Sequence, residues 1–466
     1  MVNFWDFEAW GFLNVMAVLL LSLLAASVLR KSIPALQNSL IPISVLGGGL
    51  IIVIATIYKF ATGNIMFDEP FFGGNGTVVL ELLTYHCLAL GFIASTFKPA
   101  KGKLTKKRTT EIFNTGVSTV ATYLLQAIFG MVISIVAVLV VPDFFAAAGI
   151  LLPFGYGQGT GQALNYGNIY EMDYGFAGGK SFGLTIAALG FLSASIGGVI
   201  HLALLKKRGR IPTSHTAAQV ACSKEAQAAC EMPMKESIDH LTVQIALIFV
   251  AYLLTNLVMY VLGNLLPGMR SVIYGFNFLL GVLLATFVKQ VMNWLKKKQV
   301  LKKDYANVGL MTRISNLFFD LMVVAGIAAI RFSALKDFWG IILIMGVVGL
   351  VITYYYNYFI AKILFPEYTE EQFLMMYGML TGTASTGVIL LREIDGNFQT
   401  PASDNMVYQN FPAIVFGFPL MLLATLAPKQ PILTLIIIAA FFVVMNIILF
   451  RSFLFRKHKK TEQATK

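Results

Sequence analysis

The chain has 466 residues, 57% of them hydrophobic and only 12% charged, with a mean hydropathy of +0.74. A soluble globular protein carries roughly 25% charged residues. The composition therefore excludes a large soluble domain and points to an all-α polytopic membrane protein. The formal charge of +12 invites a nucleic-acid reading, which the placement of the basic residues removes.

The chain begins MVNFWDFEAW, with acidic residues and no Lys or Arg ahead of its first apolar run. A cleaved signal peptide needs a basic start, so this run is expected to be a retained span. A membrane-crossing helix takes about 20 mostly apolar residues. Stretches of that kind lie at 10–29, 40–60, 77–97, 113–142, 176–205, 239–265, 271–294, 308–330, 338–361, 404–427 and 431–450. Two further segments, 144–175 and 364–403, are only partly apolar and are interrupted by Gly, Pro, Thr and charged residues. They are expected to enter the membrane and return to the same side. Cys87, Cys222 and Cys230 form neither a disulfide framework nor a metal-binding pair.

Cytoplasmic loops collect Lys and Arg. With the N-terminus outside and both broken segments re-entrant, one side receives the basic residues of 30–31, 98–108, 206–235, 296–303 and 451–466. The other side receives only Arg270, Arg331, Lys336 and Lys429. This asymmetry predicts an outside N-terminus and a cytoplasmic C-terminus in the inner (plasma) membrane. The basic clusters are short and adjoin spans, so they read as orientation signals and not as a nucleic-acid surface.

The order of segments repeats. Each half holds four spans, one broken segment and a fifth span. The first repeat covers 1–205, a cytoplasmic linker 206–238, the second repeat 239–427, and an extra span with a basic tail 428–466. Five spans is an odd number, so the second repeat starts on the opposite side. This is the inverted-repeat plan of secondary transporters, whose interrupted helices meet near the midplane.

Each broken segment carries a small, polar, glycine-bearing turn: Gly155, Gly157, Gln158, Gly159, Thr160 and Gly161 in the first, and Thr381, Thr383, Ser385, Thr386 and Gly387 in the second. Unpaired backbone in hydrocarbon costs several kcal/mol, so such turns belong inside protein or beside water. Glycine permits close backbone approach, and hydroxyls donate and accept. Exposed carbonyls suit Na+, and N–H groups at a half-helix start suit a carboxylate. The bland alternative is small-residue helix packing. A nucleotide loop fails because no Lys-Ser/Thr pair follows the glycines at the P-loop spacing.

Three runs carry a family resemblance. "LPFGYGQGTGQALNYGNIYE" with "SFGLTIAALGF", then "GMLTGTASTGVILLREID", and the early "SLIPISVLGGGLI" resemble the bacterial sodium:glutamate symporter family. The resemblance implies Na+-coupled uptake, two inverted five-span repeats, and a homodimer whose transport domain moves like an elevator. It also implies that spans 4, 5, 9 and 10, with both re-entrant segments, form the moving part. The chain departs from the family in its extra C-terminal span and in a second turn that is poorer in glycine.

Charged residues within the spans are functional candidates. Asp320 lies mid-span, to bind Na+ or a proton or to pair with a basic residue. Lys180 and Arg392 are candidates for neutralising an anionic substrate; snorkelling of Lys180 and pairing of Arg392 with Glu393 or Asp395 are the alternatives. Glu81 is placed near the headgroups, and Glu171 and Asp173 in solvent at the outer mouth. His86 reads as a hydrogen-bonded packing residue, and Gln126, Asn256, Asn277 and Asn357 as interhelical hydrogen-bonding amides. No enzyme motif and no cofactor motif is present. The expected function is Na+-coupled import of glutamate or a related small organic anion or amino acid. The alternatives are a proton-coupled antiporter or exporter using Asp320, and a channel or receptor.

Overall fold

The computed structural model describes residues 3–38, 40–97, 105–142, 144–208, 238–301, 305–335, 338–395 and 399–451. Most of the 206–238 linker, with Cys222 and Cys230, and the tail beyond 451 lie outside the described residues. Among the described residues every regular element is helical. The first half contains α1 (Phe7–Ser32), α2 (Pro34–Asn38), α3 (Ile43–Thr62), α4 (Gly76–Thr96), α5 (Lys106–Ala137), α6 (Leu151–Tyr156), α7 (Gly159–Tyr174) and α8 (Gly179–Lys207). The second contains α9 (His240–Leu265), α10 (Arg270–Gly275), α11 (Asn277–Lys297), α12 (Val308–Ala328), α13 (Trp339–Leu364), α14 (Thr369–Thr381), α15 (Ala384–Arg392), α16 (Ala402–Tyr408) and α17 (Asn410–Leu426). The last helix is α18 (Pro431–Leu449).

Ten of these helices are long and apolar enough to cross a membrane, and an eleventh span arises if α16 and α17, bent by 52°, count together. The chain is thus a multi-pass membrane protein, with helices where the apolar runs lie. Local chemistry sets the ends. Thr105, Asp239 and Asn307 cap α5, α9 and α12 with side-chain oxygens, satisfying otherwise unpaired first-turn N–H groups. Lys and Arg occupy the last turns of α1, α8 and α11, facing the negative end of the helix dipole. The cap at Thr105 explains why α5 begins well before the apolar run at 113.

Each broken segment is built from two short helices, α6 and α7 in the first and α14 and α15 in the second. At 1.5 Å per residue, α14 reaches about 20 Å and α15 about 14 Å, short of a hydrocarbon core of about 30 Å. Each segment folds back on itself. In the first, the Phe154 and Tyr166 rings stack at 4.0 Å across the break between α6 and α7, and Phe145 meets Tyr170 at 5.2 Å. In the second, a β-carbon at Gly378 would stand 2.8 Å from Gly387 Cα across the break between α14 and α15. Both are antiparallel helical hairpins.

The helices pack as two bundles. One contains α1, α3, α4, α9, α11 and α12, with α4 against α12 as its centre. The other contains α5, both hairpins, α8, α13, α16 and α17, and α18 packs on α5. The bundles join chiefly through α7, which touches α4, α10 and α12. Buried shares of 56% for the apolar windows of α4, α8 and α12, against 22% for α1, α9, α11 and α18, separate inner helices from a lipid-facing shell.

Candidate functional site

The two breaks meet. Gly159 opens α7 with φ +76°, a left-handed conformation that favours glycine. A β-carbon there would stand 3.5 Å from Thr383 Cγ2 and 3.6 Å from Gly382 O. The tip of one hairpin therefore faces the tip of the other, and residues more than 200 positions apart in sequence come within van der Waals reach. The second break is sharp because Gly382 takes φ −143° and ψ −105°, after which Thr383 is extended and α15 begins.

Neighbouring helices hold the tips. The Tyr123 hydroxyl of α5 donates to Gly157 O at 3.1 Å, and its ring fills the space a side chain at Gly157 would need. One turn later on α5, Gln126 Nε2 donates to Leu380 O at 2.9 Å and to Thr353 Oγ1 at 2.8 Å. One face of α5 thus touches both breaks. Behind them, Gly190 of α8 allows the Thr381 carbonyl and Tyr156 to close on the helix. The Tyr156 hydroxyl is hydrogen-bonded to Ser193 Oγ and Gly346 O. On the other bundle, Gly326 of α12 receives Thr160, whose hydroxyl donates to Met322 O at 3.3 Å.

The expected site residues separate into groups. Gly157, Gln158, Gly159, Thr160, Thr381, Thr383 and Thr386 lie at or beside the tips. Thr160, Thr381 and Thr386 are fully buried. Thr381 donates to Tyr377 O, and the Thr383 and Thr386 hydroxyls lie 3.4 Å apart. The side chain of Ser385 lies outside the described residues. Gly155, Gly161 and Gly387 are close-packing positions, against Ile186 and Ala187, against Leu88, and against Met375 O.

Three charged candidates are not at the tips. Asp320 lies on the side of α12 facing α3: it bonds Ser44, and Val324 and Ile327 on the same stripe meet Gly47 and Gly48. At 100° per residue this face is nearly opposite the Met322–Gly326 face that holds Thr160. No Lys or Arg pairs with Asp320 among the described residues. Lys180 stands at the base of the first hairpin, 2.9 Å from Glu81 Oε2 and 3.6 Å from Glu171 Oε1. Glu171 is therefore drawn into an ion cluster and not left in solvent, and Glu81 is its counterpart across the bundles. Arg392 is exposed at the far end of α15, about 14 Å along the helix from Thr383.

His86 is hydrogen-bonded as expected, with Nδ1 2.6 Å from the Tyr252 hydroxyl, but it is exposed and not packed in the interior. Gln126, Asn277 and Asn357 make interhelical hydrogen bonds. Asn256 differs: it is exposed and no such bond is formed among the described residues. Tyr123, Gly190 and Gly326 are tip neighbours that sequence reasoning missed. Each lies in an ordinary apolar helix, with no local signal that a break would land on it. A cleft of about 530 Å³ lies elsewhere, between α17 and α18, with an apolar lining that includes Pro419 and Phe441.

The tips are formally uncharged. Residues 112–142, 144–170, 181–200, 339–361 and 372–391 contain no Asp, Glu, Lys, Arg or His. What converges there is backbone, hydroxyl and amide, a set suited to binding by dipoles. No family model matches the chain, and no curated protein matches it.

Proposed function

We propose that the chain is a secondary-active, Na+-coupled symporter that imports glutamate or a related small organic anion or amino acid by alternating access. The observation that carries the reading is the meeting of the two breaks, Gly159 against Gly382 and Thr383, inside a multi-pass helical protein. Interrupted helices opposed within a membrane are where transporters place substrate and coupling ions. The element order supports an inverted repeat, since each half supplies four long helices, a hairpin and a further helix. The third long helices of the two halves, α4 and α12, pack together, and so do the fourth, α5 and α13. Two bundles joined through one hairpin arm support an elevator-type division, with α5, α8, α13, α17 and both hairpins as the moving part. The resemblance to the sodium:glutamate symporter family supports a homodimer, and the asymmetric placement of Lys and Arg supports an inner-membrane protein with its N-terminus outside and its C-terminus cytoplasmic. The reading assigns no enzyme activity and no resident cofactor; Na+ travels as co-substrate.

Asp320 favours a second reading, proton-coupled exchange or export, because it is an intramembrane carboxylate without a basic partner among the described residues. Purified protein in liposomes separates the two. Labelled glutamate is expected to accumulate only under an inward Na+ gradient, and Gly159→Leu, which forces a bulky side chain into a left-handed position against Thr383, is expected to abolish uptake while leaving the protein folded. Uptake driven equally by a pH gradient without Na+ would favour the second reading. Failure of glutamate, other amino acids and dicarboxylates to enter under either gradient would sink both.

A further inference from the structure

Gln126 is fully buried in α5. Its Nε2 gives its two hydrogens to Thr353 Oγ1 and Leu380 O, and this fixes the plane of the amide. Its Oε1 has no hydrogen-bond partner among the described residues. Turning the amide over is no remedy, because it would set a carbonyl oxygen against the Leu380 carbonyl. A buried acceptor left without a partner is costly and rare, so the position calls for something positive to occupy it.

The surroundings point the same way. Leu380 lies two residues before the break at Gly382, where α14 ends. Carbonyls in the last turn of a helix lack following N–H groups and carry the negative end of its dipole. The five segments around the tips hold no charged side chain or histidine. Arg392 lies at the far end of α15, and Lys180 is already matched by Glu81 and Glu171. Among the described residues no Lys or Arg is placed at the tips, so a carboxylate held there would take its compensating charge from a cation bound with it.

We propose that Gln126 is a ligand of the coupling cation, its Oε1 joining the terminal carbonyls of α14 in a seat of neutral oxygens beside the second break. Neutral carbonyls select a monovalent alkali cation, because Ca2+ and Mg2+ sites are built around carboxylates. The inference rests on the transport reading for its purpose, but cation binding is measurable without transport.

The test is Na+ titration of the purified full chain at constant ionic strength, with choline as the replacement ion and thermal unfolding as the readout. Wild type is expected to show saturable stabilisation by Na+. Gln126→Leu is expected to raise the half-saturating Na+ concentration by about tenfold or more. Thr353→Val removes a partner of Nε2 and leaves Oε1 in place, so its half-saturation should stay within about twofold of wild type. Gln126→Leu binding Na+ like wild type would overturn the proposal. So would an equal loss in Thr353→Val, which would make Gln126 a brace only. If Gln126→Leu does not fold, Gln126→Met replaces it: it keeps the length of the side chain and removes the oxygen, so the half-saturating Na+ concentration should rise by about tenfold or more, and an unchanged value overturns the proposal. Na+ stabilisation without Na+-driven uptake would sink the transport reading and leave the cation seat standing, whereas wild type without a saturable Na+ response removes the seat.

Discussion

The first hairpin, α6–α7, turns through a left-handed glycine and touches both bundles; the second, α14–α15, turns without a positive φ and stays within its own bundle. Their bonding differs to match. On its inner face α7 carries Tyr166, Tyr170 and Tyr174 at helical spacing, and their hydroxyls donate to Met421 O, Ala424 O and Thr425 O of α17. The last two are end-of-helix carbonyls that need outside donors. The Tyr166 and Tyr170 bonds are short, at 2.9 and 2.7 Å. On its outer face α7 meets the other bundle through small residues and longer bonds, Thr160 to Met322 O at 3.3 Å and Asn165 to Gly275 O at 3.2 Å. Two hairpins at matching places in the two halves thus have different mechanical positions. If the bundles shift against each other, the outer face of α7 is the surface that must yield, and the second hairpin travels with its own bundle.

The largest expected effect tests how tightly the first hairpin is packed on α5. Gly149, just before α6, lies against the backbone of Gly130 in α5, so that neither residue has room for a β-carbon. Backbone cannot rotate aside as a side chain can. Gly149→Ala is expected to lose about 4 kcal/mol or more, in the range reserved for severe core lesions. In the second hairpin, Gly387→Ala would bring a methyl group to 2.5 Å from Met375 O, a milder overpacking of about 2–3 kcal/mol. Unfolding midpoints in detergent check the ranking. Equal stabilities for the two variants would erase the difference in packing.

That contrast also marks what the sequence disclosed. Apolar runs of about 20 residues have one stable form in lipid, a helix, so the spans were legible. The runs at 144–175 and 364–403 were legible as broken because Gly, Pro and Thr interrupt them, and the turns at 157–160 and 381–386 stand at the tips. Asp320 was legible as a mid-span carboxylate, but not its direction: the helical period turns it toward Ser44 and away from Thr160. Lys180 looked free because its partners, Glu81 and Glu171, are 99 and 9 residues away. Gln126 and Tyr123 were unreadable as tip residues for a related reason. Nothing local to α5 says which helix end will pack on it.

The bases of the hairpins extend the comparison at smaller energies. Lys180 joins the bundles at the base of the first, with side-chain exposures of 22% for Lys180, 17% for Glu81 and 28% for Glu171. Such half-buried ions are screened only in part. Lys180→Met leaves two carboxylates facing each other and is expected to cost about 1–2 kcal/mol, against less than about 1 kcal/mol for Glu81→Gln. Restoring stability to Lys180→Met by adding Glu81→Gln would show that the damage is repulsion. A penalty that the second substitution does not relieve would show that packing by the lysine stem matters more.

At the base of the second hairpin the device is a carboxylate bonded to backbone, and its signature is pH. Asp395 accepts from Gln399 N and Thr400 N, both at 2.8 Å, and from Thr400 Oγ1 at 2.6 Å. Burial pushes its carboxyl up, but these hydrogen bonds outweigh burial and hold it below the ordinary carboxylate value. A depressed folded-state pKa gives stability that is fully present above the unfolded value, near 3.9, and is lost as pH falls through the lower folded value. Asp395→Asn is therefore expected to cost about 1 kcal/mol at neutral pH, with the gap from wild type narrowing below about pH 4 as the wild-type carboxyl gains its proton. Short bonds to backbone should also make this gap insensitive to salt, while the Lys180 gap shrinks as salt rises. A salt-sensitive, pH-insensitive Asp395→Asn would mean that both hairpins are tied down by surface charge, and the contrast between their bases would disappear.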